Sequence, residues 1–362
     1  LHTAKAQCST IAGEWNGALQ VQGIKLRLVF HFVCKGDTVT ATFDSPDQGA
    51  KGIPFDKVTL KGNEITIDAP SLMASYKASL KADTLLEGTW TQGGMSLPLN
   101  LSKASSPFTL NRPQEPKPPL PYKSNEVQFN SANKEVMLAG TLTMPEGSGP
   151  FSAVVLISGS GPQNRDEELL SHKPFLVLSD YLTRLGFAVL RYDDRGVGKS
   201  TGDFSKATSL DFADDAEGAF EYLLSRPEIA KKKIGLAGHS EGGMIAPVVA
   251  SRNHQVAFIV LLAGPGQRST DLMDDQARLV SLAAGESEAS VNEAVALNQK
   301  LFAILMQQPN DSLAALEMKN LVTAEVGAAK TLTDAEKKEH IEQLPITLRK
   351  ILNPWFRTFI AW

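Results

Sequence analysis

The 362-residue sequence predicts two folds in series: an all-β domain over residues 11–104, then an α/β domain with a mainly parallel sheet over residues 123–362. Three observations predict it. Apolar and polar residues alternate at period two up to about Lys103, five prolines crowd the ten residues 112–121, and beyond Tyr122 apolar runs of strand length alternate with amphipathic helices.

Composition narrows the class before any motif is considered. Hydrophobic residues make up 42% and charged ones 21%, as in ordinary soluble globular proteins, and the formal charge of -4 offers no basic footprint for nucleic acid. No apolar run reaches the ~18 residues that span a bilayer. Residues 1–10 read as the tail of a removed export signal, because Ala4-Lys5-Ala6 suits signal-peptidase cleavage, and an exported, periplasmic or secreted bacterial protein is the expectation. Cys8 and Cys34 are the only cysteines. The pair is compatible with one disulfide in an oxidising compartment without requiring it, and two buried free thiols are the reading preferred from sequence. Spaced so far apart, they make a poor zinc site.

In the first domain Leu26, Leu28, Phe30 and Phe32 recur at period two, as do Val39, Ala41 and Phe43, and then Ile65 and Ile67. Breaks at Lys35-Gly36-Asp37, Ser45-Pro46-Asp47, Lys61-Gly62-Asn63 and Gln92-Gly93-Gly94 come at hairpin spacing, so a barrel or sandwich of roughly eight strands is expected. A small barrel is more often filled by its own side chains than open to a ligand. The prolines of residues 105–122 favour extended, semi-rigid linker conformation.

In the second domain residues 126–130 and 137–144 read as an antiparallel pair. The run 153–157 reads as a strand buried on both faces, ending in the loop Ser158-Gly159-Ser160-Gly161-Pro162. A helix over 174–185 presents Phe175, Leu178, Leu182 and Leu185. The strand 187–192 then leads into Asp193-Asp194-Arg195-Gly196-Val197-Gly198-Lys199-Ser200. A helix over 210–224 and a strand over 234–237 follow, and the latter runs into Gly238-His239-Ser240-Glu241-Gly242. That Gly-x-Ser-x-Gly pattern, between an apolar strand and a helix, is the signature of a nucleophile elbow. A last buried strand is expected over 257–263. Residues 267–352 read as helical, with helices over 274–284, 290–307 and 334–351, forming either a cap over the mouth of an active site or a separate helical packing unit with no gating role.

The three motifs, in this order and each at the end of a strand, resemble the α/β-hydrolase superfamily. More narrowly, they resemble bacterial exported serine esterases with a small lipocalin-like β-domain in front, whose first strand carries a Gly-x-Trp like Gly13-Glu14-Trp15. The resemblance implies Ser240 as nucleophile and the backbone N–H groups of Glu241 and Ser160 as oxyanion donors. It implies Gly238 and Gly242 as the elbow glycines, a small ester as substrate, and no metal or organic cofactor. Asp193, Arg195, Gly196, Gly198 and Ser200 match the family's bracing turn. His239 would be a packed side chain, Glu241 would contact substrate or cap the elbow helix, and Arg165 would fix its loop or recognise an acidic group.

The family's triad runs in the order Ser, acid, His, with the last two after a seventh and an eighth strand. Only His254 and His340 follow Ser240. His254 has no carboxylate between itself and the serine except Glu241. His340, which could formally pair with Asp311 or Asp334, lies in a charged stretch expected to face solvent. The expectation is therefore a chain that lacks the triad acid and base, truncated before the last strands and nearly inactive by itself. Rival readings are a serine peptidase or amidase on the same elbow, and a non-catalytic protein that binds an apolar ligand in its barrel. Acyl and alcohol specificity and oligomeric state are not legible.

Overall fold

Alternating side chains need a sheet with one buried face, and the first hundred residues form one. The computed structural model describes residues 8–362 apart from 22–23, 37, 94, 107–110 and 330–331. The export-signal reading of residues 1–7, and the turn positions Asp37 and Gly94, lie outside the described residues.

The first unit comprises residues 1–115 together with 168–173. Its strands are β1 (Gly13–Val21), β2 (Ile24–Lys35), β3 (Thr38–Ser45), β4 (Ala50–Pro54), β5 (Lys57–Lys61), β6 (Glu64–Ala69), β7 (Ala74–Ala82), β8 (Leu85–Gln92), β9 (Met95–Pro98) and β10 (Leu101–Lys103). They pair antiparallel in the order β4-β3-β2-β1-β10-β8-β7-β6-β5, with β9 on β8, as an open, curled half-barrel. The count is ten where about eight were expected, because residues 95–103 break into two short strands around Leu99 and Asn100. The period-two residues point inward as their spacing requires: Leu28, Phe30, Phe32, Ile65 and Ile67 are buried. Phe30 sits at the centre of an aromatic cluster with Phe55, Tyr76 and Trp90. Trp15, fully buried, satisfies its indole N–H on Ile11 O at 2.8 Å. Cys8 and Cys34 are joined in a disulfide with their Cα atoms 5.9 Å apart, which corrects the preference for free thiols.

The second unit, residues 116–167 and 174–362, carries the parallel sheet. Its elements in order are β11 (Lys123–Asn130), β12 (Met137–Met144), β13 (Phe151–Ile157), α1 (Pro174–Arg184), β14 (Phe187–Tyr192), α2 (Ser209–Ser225), β15 (Ile229–His239), α3 (Gly242–Arg252) and β16 (Phe258–Leu262). The sheet order is β11-β12-β14-β13-β15-β16, antiparallel as far as β14 and parallel from there to β16. From β13 the chain crosses to β14 on one side and then returns to β15 on the other, so the loops after β13 and β15 flank a topological switch point, where ligands of such sheets bind. Residues 153–157 are buried on both faces, with α2 and α3 supplying part of the cover through Phe220, Leu223 and Ile245. Helix α2 starts on a capping box between Thr208 and Asp211.

Two sequence expectations fail here. β16 was expected to be buried, yet all five of its residues are exposed. It pairs with β15 on one side and, among the described residues, with nothing on the other. Leu185 was placed as the last residue of a helix, on one apolar face with Phe175, but α1 ends at Arg184 and Leu185 is exposed while Phe175 is buried.

The rest is helical: α4 (Ser269–Ala283), α5 (Glu288–Gln307), α6 (Asp311–Ala328), α7 (Asp334–Ile351) and α8 (Pro354–Ile360). They share a core that includes Phe302, Met318, Leu348 and Phe359, with Met244 of α3 packed against it. Sequence reasoning missed α6, although Asn310 caps it by accepting from Leu313 N–H.

Candidate active site

Ser240 is forced into an unusual backbone. It lies between β15 and α3 with φ of 50°, a left-handed conformation rare for a residue with a side chain. Its amide donates to Leu262 O at 2.9 Å, and its carbonyl accepts from Gly243 N–H at 2.8 Å. The glycines around it answer to sterics: a Cβ on Gly238 would stand 1.9 Å from Gly242 O, and one on Gly242 would stand 2.3 Å from Ile157 O. These clearances tie the elbow to the end of β13 as well as to itself.

The loop after β13 lies against the serine. A Cβ built on Gly159 would come within 3.2 Å of Ser240 Cβ. Gly159 N–H donates to Glu167 Oε1 at 2.8 Å, and His239 Nδ1 lies 2.7 Å from the same oxygen. A carboxylate oxygen at that distance accepts from Nδ1–H of the imidazole. Glu167 is buried and holds φ of 50°, so a second strained residue anchors this loop. Sequence reasoning missed Glu167 altogether, and it read His239 as merely packed.

The backbone amides of Ser160 and Glu241 find no acceptor among the described residues. The side chain of Glu241 does not cap the elbow helix as expected. It is buried behind the elbow, accepts from Ser209 Oγ and from Trp355 Nε1 (2.8 Å), and makes no helix-capping bond. Burial pushes its carboxyl above the usual range. Trp355, on α8, thereby links the helical region to the elbow.

The turn after β14 braces the loop from below. Asp194 accepts from Ser158 Oγ and Gln163 N–H, both at 2.8 Å, and burial pushes its carboxyl up to about 7. Asp193 takes Arg165 in a fork (3.0 and 2.8 Å), and Glu126 also pairs with Arg165. Arg165 therefore fixes its loop, and its guanidinium is already committed to carboxylates. Arg195 forks onto Asp215 at 2.7 and 2.9 Å, and Ser200 Oγ donates to Asp193 O. A Cβ on Gly198 would stand 2.5 Å from Asp193 Oδ2. His254 and His340 are exposed and hydrogen-bond to no residue near Ser240. Among the described residues no His, Cys, Asp and Glu cluster could hold a metal ion, and no helix is long and apolar enough to cross a membrane.

Comparison with known proteins agrees with this geometry. A family profile described as serine aminopeptidase, S33, matches residues 173–342. Esterase EstD of Thermotoga maritima is 34% identical over 139 residues, 38% of this chain and 33% of its own length. Acyl-coenzyme A thioesterase 3 of Mus musculus is 25% identical over 131 residues, 36% of this chain and 27% of its own length. The chain thus spans about a third of the length of these curated relatives. Among solved structures, a Pyrococcus furiosus esterase is 20% identical over 44% of this chain and 56% of its own, with a TM-score of 0.37. An α/β hydrolase from Penicillium sp. sh18 is 21% identical over 46% and 56%, with a TM-score of 0.36. The second unit thus carries a mainly parallel sheet with Ser240 in a strand-to-helix elbow, and its sequence is similar to this hydrolase family profile and to the esterase from Thermotoga maritima.

Proposed function

We propose that the protein is a serine carboxylic-ester hydrolase that works through an acyl-enzyme on Ser240, with no metal or organic cofactor. One observation carries the proposal: a serine held at φ of 50° where only glycines fit around it, directly beside the Gly159 loop. A base removes the Oγ proton, Oγ adds to the ester carbonyl, and the oxyanion faces the amides of Glu241 and Ser160. The alcohol leaves with that proton, and water then releases the acid and restores the serine.

The triad acid and base, in this proposal, come from sequence beyond Trp362. Support comes from the exposure of both histidines that follow Ser240, and from the apolar open edge of β16, which suits another parallel strand. The helices from α4 to α8 act as the cap, a role supported by the Trp355–Glu241 bond and the packing of Met244. Export to an oxidising compartment is supported by the Cys8–Cys34 disulfide.

The test is labelling by a fluorophosphonate together with p-nitrophenyl ester turnover, using the full-length protein. Both should disappear in Ser240→Ala, with turnover falling by about 10³-fold or more. A Ser240→Ala protein that still hydrolyses the ester at the original rate overturns the mechanism. Full Ser240-dependent turnover by residues 1–362 alone overturns the placement of acid and base. The family profile's description favours a second reading, a peptidase or amidase. Matched ester and amide substrates separate the two.

A further inference from the structure

The curled sheet of the first unit holds a cavity of about 450 Å³ that opens to solvent on one side, well within the roughly 300–1,000 Å³ of small-molecule sites. Phe43 and Trp90, with ring centroids 5.9 Å apart, belong to the aromatic cluster and form part of the wall. Leu19, Leu28, Ile53 and Leu97 line the remainder. Ordinary cores are packed to crystal density with voids no larger than a water, so the sheet fills its interior around Phe30 and leaves this volume unfilled. Ordered water is a poor occupant, because each molecule needs two to four polar partners.

The polar side chains of the wall are few and mostly engaged. Ser45 Oγ donates to Gln48 Oε1 at 2.7 Å, Trp90 Nε1 donates to Gln92 Oε1 at 3.1 Å, and Gln92 Nε2 donates to Leu72 O at 3.2 Å. Gln48, an exposed lining residue, brings its side-chain amide, and with it a neutral N–H donor, to the mouth of the cavity. Among the described residues no Lys, Arg, His, Asp or Glu lines the cavity. A carboxylate entering it would lose its hydration and gain no cation, whereas a neutral oxygen would need only one donor.

We propose that this cavity binds an uncharged amphiphile, a medium-chain alcohol or ester with an apolar tail and one neutral acceptor head, and discriminates against the corresponding carboxylate. The site stands on the first unit alone and is independent of any chemistry at Ser240. If both hold, the unit retains neutral ester or alcohol and lets the ionised acid go.

The test is calorimetric titration of the full-length protein with 1-decanol and with sodium decanoate at a pH about 3 units above the acid's pKa. Saturable decanol binding is expected, with decanoate at least about tenfold weaker. Ile53→Trp and Leu97→Trp fill the cavity from half-buried positions. Each should weaken decanol by about tenfold or more while the circular-dichroism spectrum stays unchanged. Absence of saturable decanol binding, equal binding of decanoate, or wild-type affinity in both folded variants overturns the proposal. Should the variants misfold, the alcohol and acid titrations of the unaltered protein decide it.

Discussion

The two sheets of this protein handle their loops in opposite ways. In the antiparallel sheet of the first unit successive loops leave from alternate ends, so polar residues are scattered and the cavity walls are mostly apolar and uncharged. In the second unit β13, β14 and β15 run parallel, and their carboxyl ends deliver residues 158–167, 193–200 and 239–241 to one place. Strand direction alone therefore concentrates chemistry-bearing side chains in one unit and leaves the other suited to sequestering something greasy. The comparison also explains why both buried ion pairs described here, Asp193–Arg165 and Arg195–Asp215, belong to the unit with the parallel sheet.

Substitutions at four positions can break or sharpen that contrast. The largest effect is expected from Gly238→Ala, whose new methyl would collide with the Gly242 carbonyl. A loss of about 4 kcal/mol or more in the second unit's stability, seen in urea unfolding, should leave decanol binding by the first unit intact. Next comes Cys34→Ser, which opens a loop spanning 26 residues. Loop-closure entropy puts the cost at about 3–4 kcal/mol, confined to the first unit, with the rate of fluorophosphonate labelling unchanged. A parallel fall in labelling would show that the two sheets are not separable in function.

Glu167→Ala should slow labelling of Ser240 by about 10²-fold, since one carboxyl holds both Gly159 N–H and the His239 ring. Glu167→Gln keeps an acceptor and should recover most of that rate. Equal damage from both would mean that the charge, and not the positioning, matters. The smallest effect concerns Asp194. The unfolded chain releases this proton near pH 4, while the folded protein holds it to about 7. Its contribution to stability therefore declines as pH rises from about 4 to about 7 and is level above that. Asp194→Asn should flatten this decline in thermal unfolding measured across the same window, and an unaltered slope would assign the proton elsewhere.

Much of this was legible because it is local. The strand running into Gly238-His239-Ser240-Glu241-Gly242 announces the elbow, since only glycine tolerates the clearances there. Period two placed Phe30 and Ile67 inside. What escaped depends on partners far along the chain. Glu167 finds His239 across 72 residues, and Glu241 finds Trp355 across 114. Nothing in either neighbourhood's spacing signals such a partner. Phe258-Ile259-Val260-Leu261-Leu262 reads as buried because an apolar run looks the same in the middle of a sheet and at its rim.

That rim has a material consequence. Five apolar residues on a strand with unpaired backbone groups, lacking the lysines, prolines or bulges that guard natural edges, form a template for intermolecular pairing. The 362-residue chain studied alone should self-associate as its concentration rises, and light scattering should register this long before the fold is lost. A charge in the middle of this strand, as in Val260→Lys, is the simplest change that would keep it in solution.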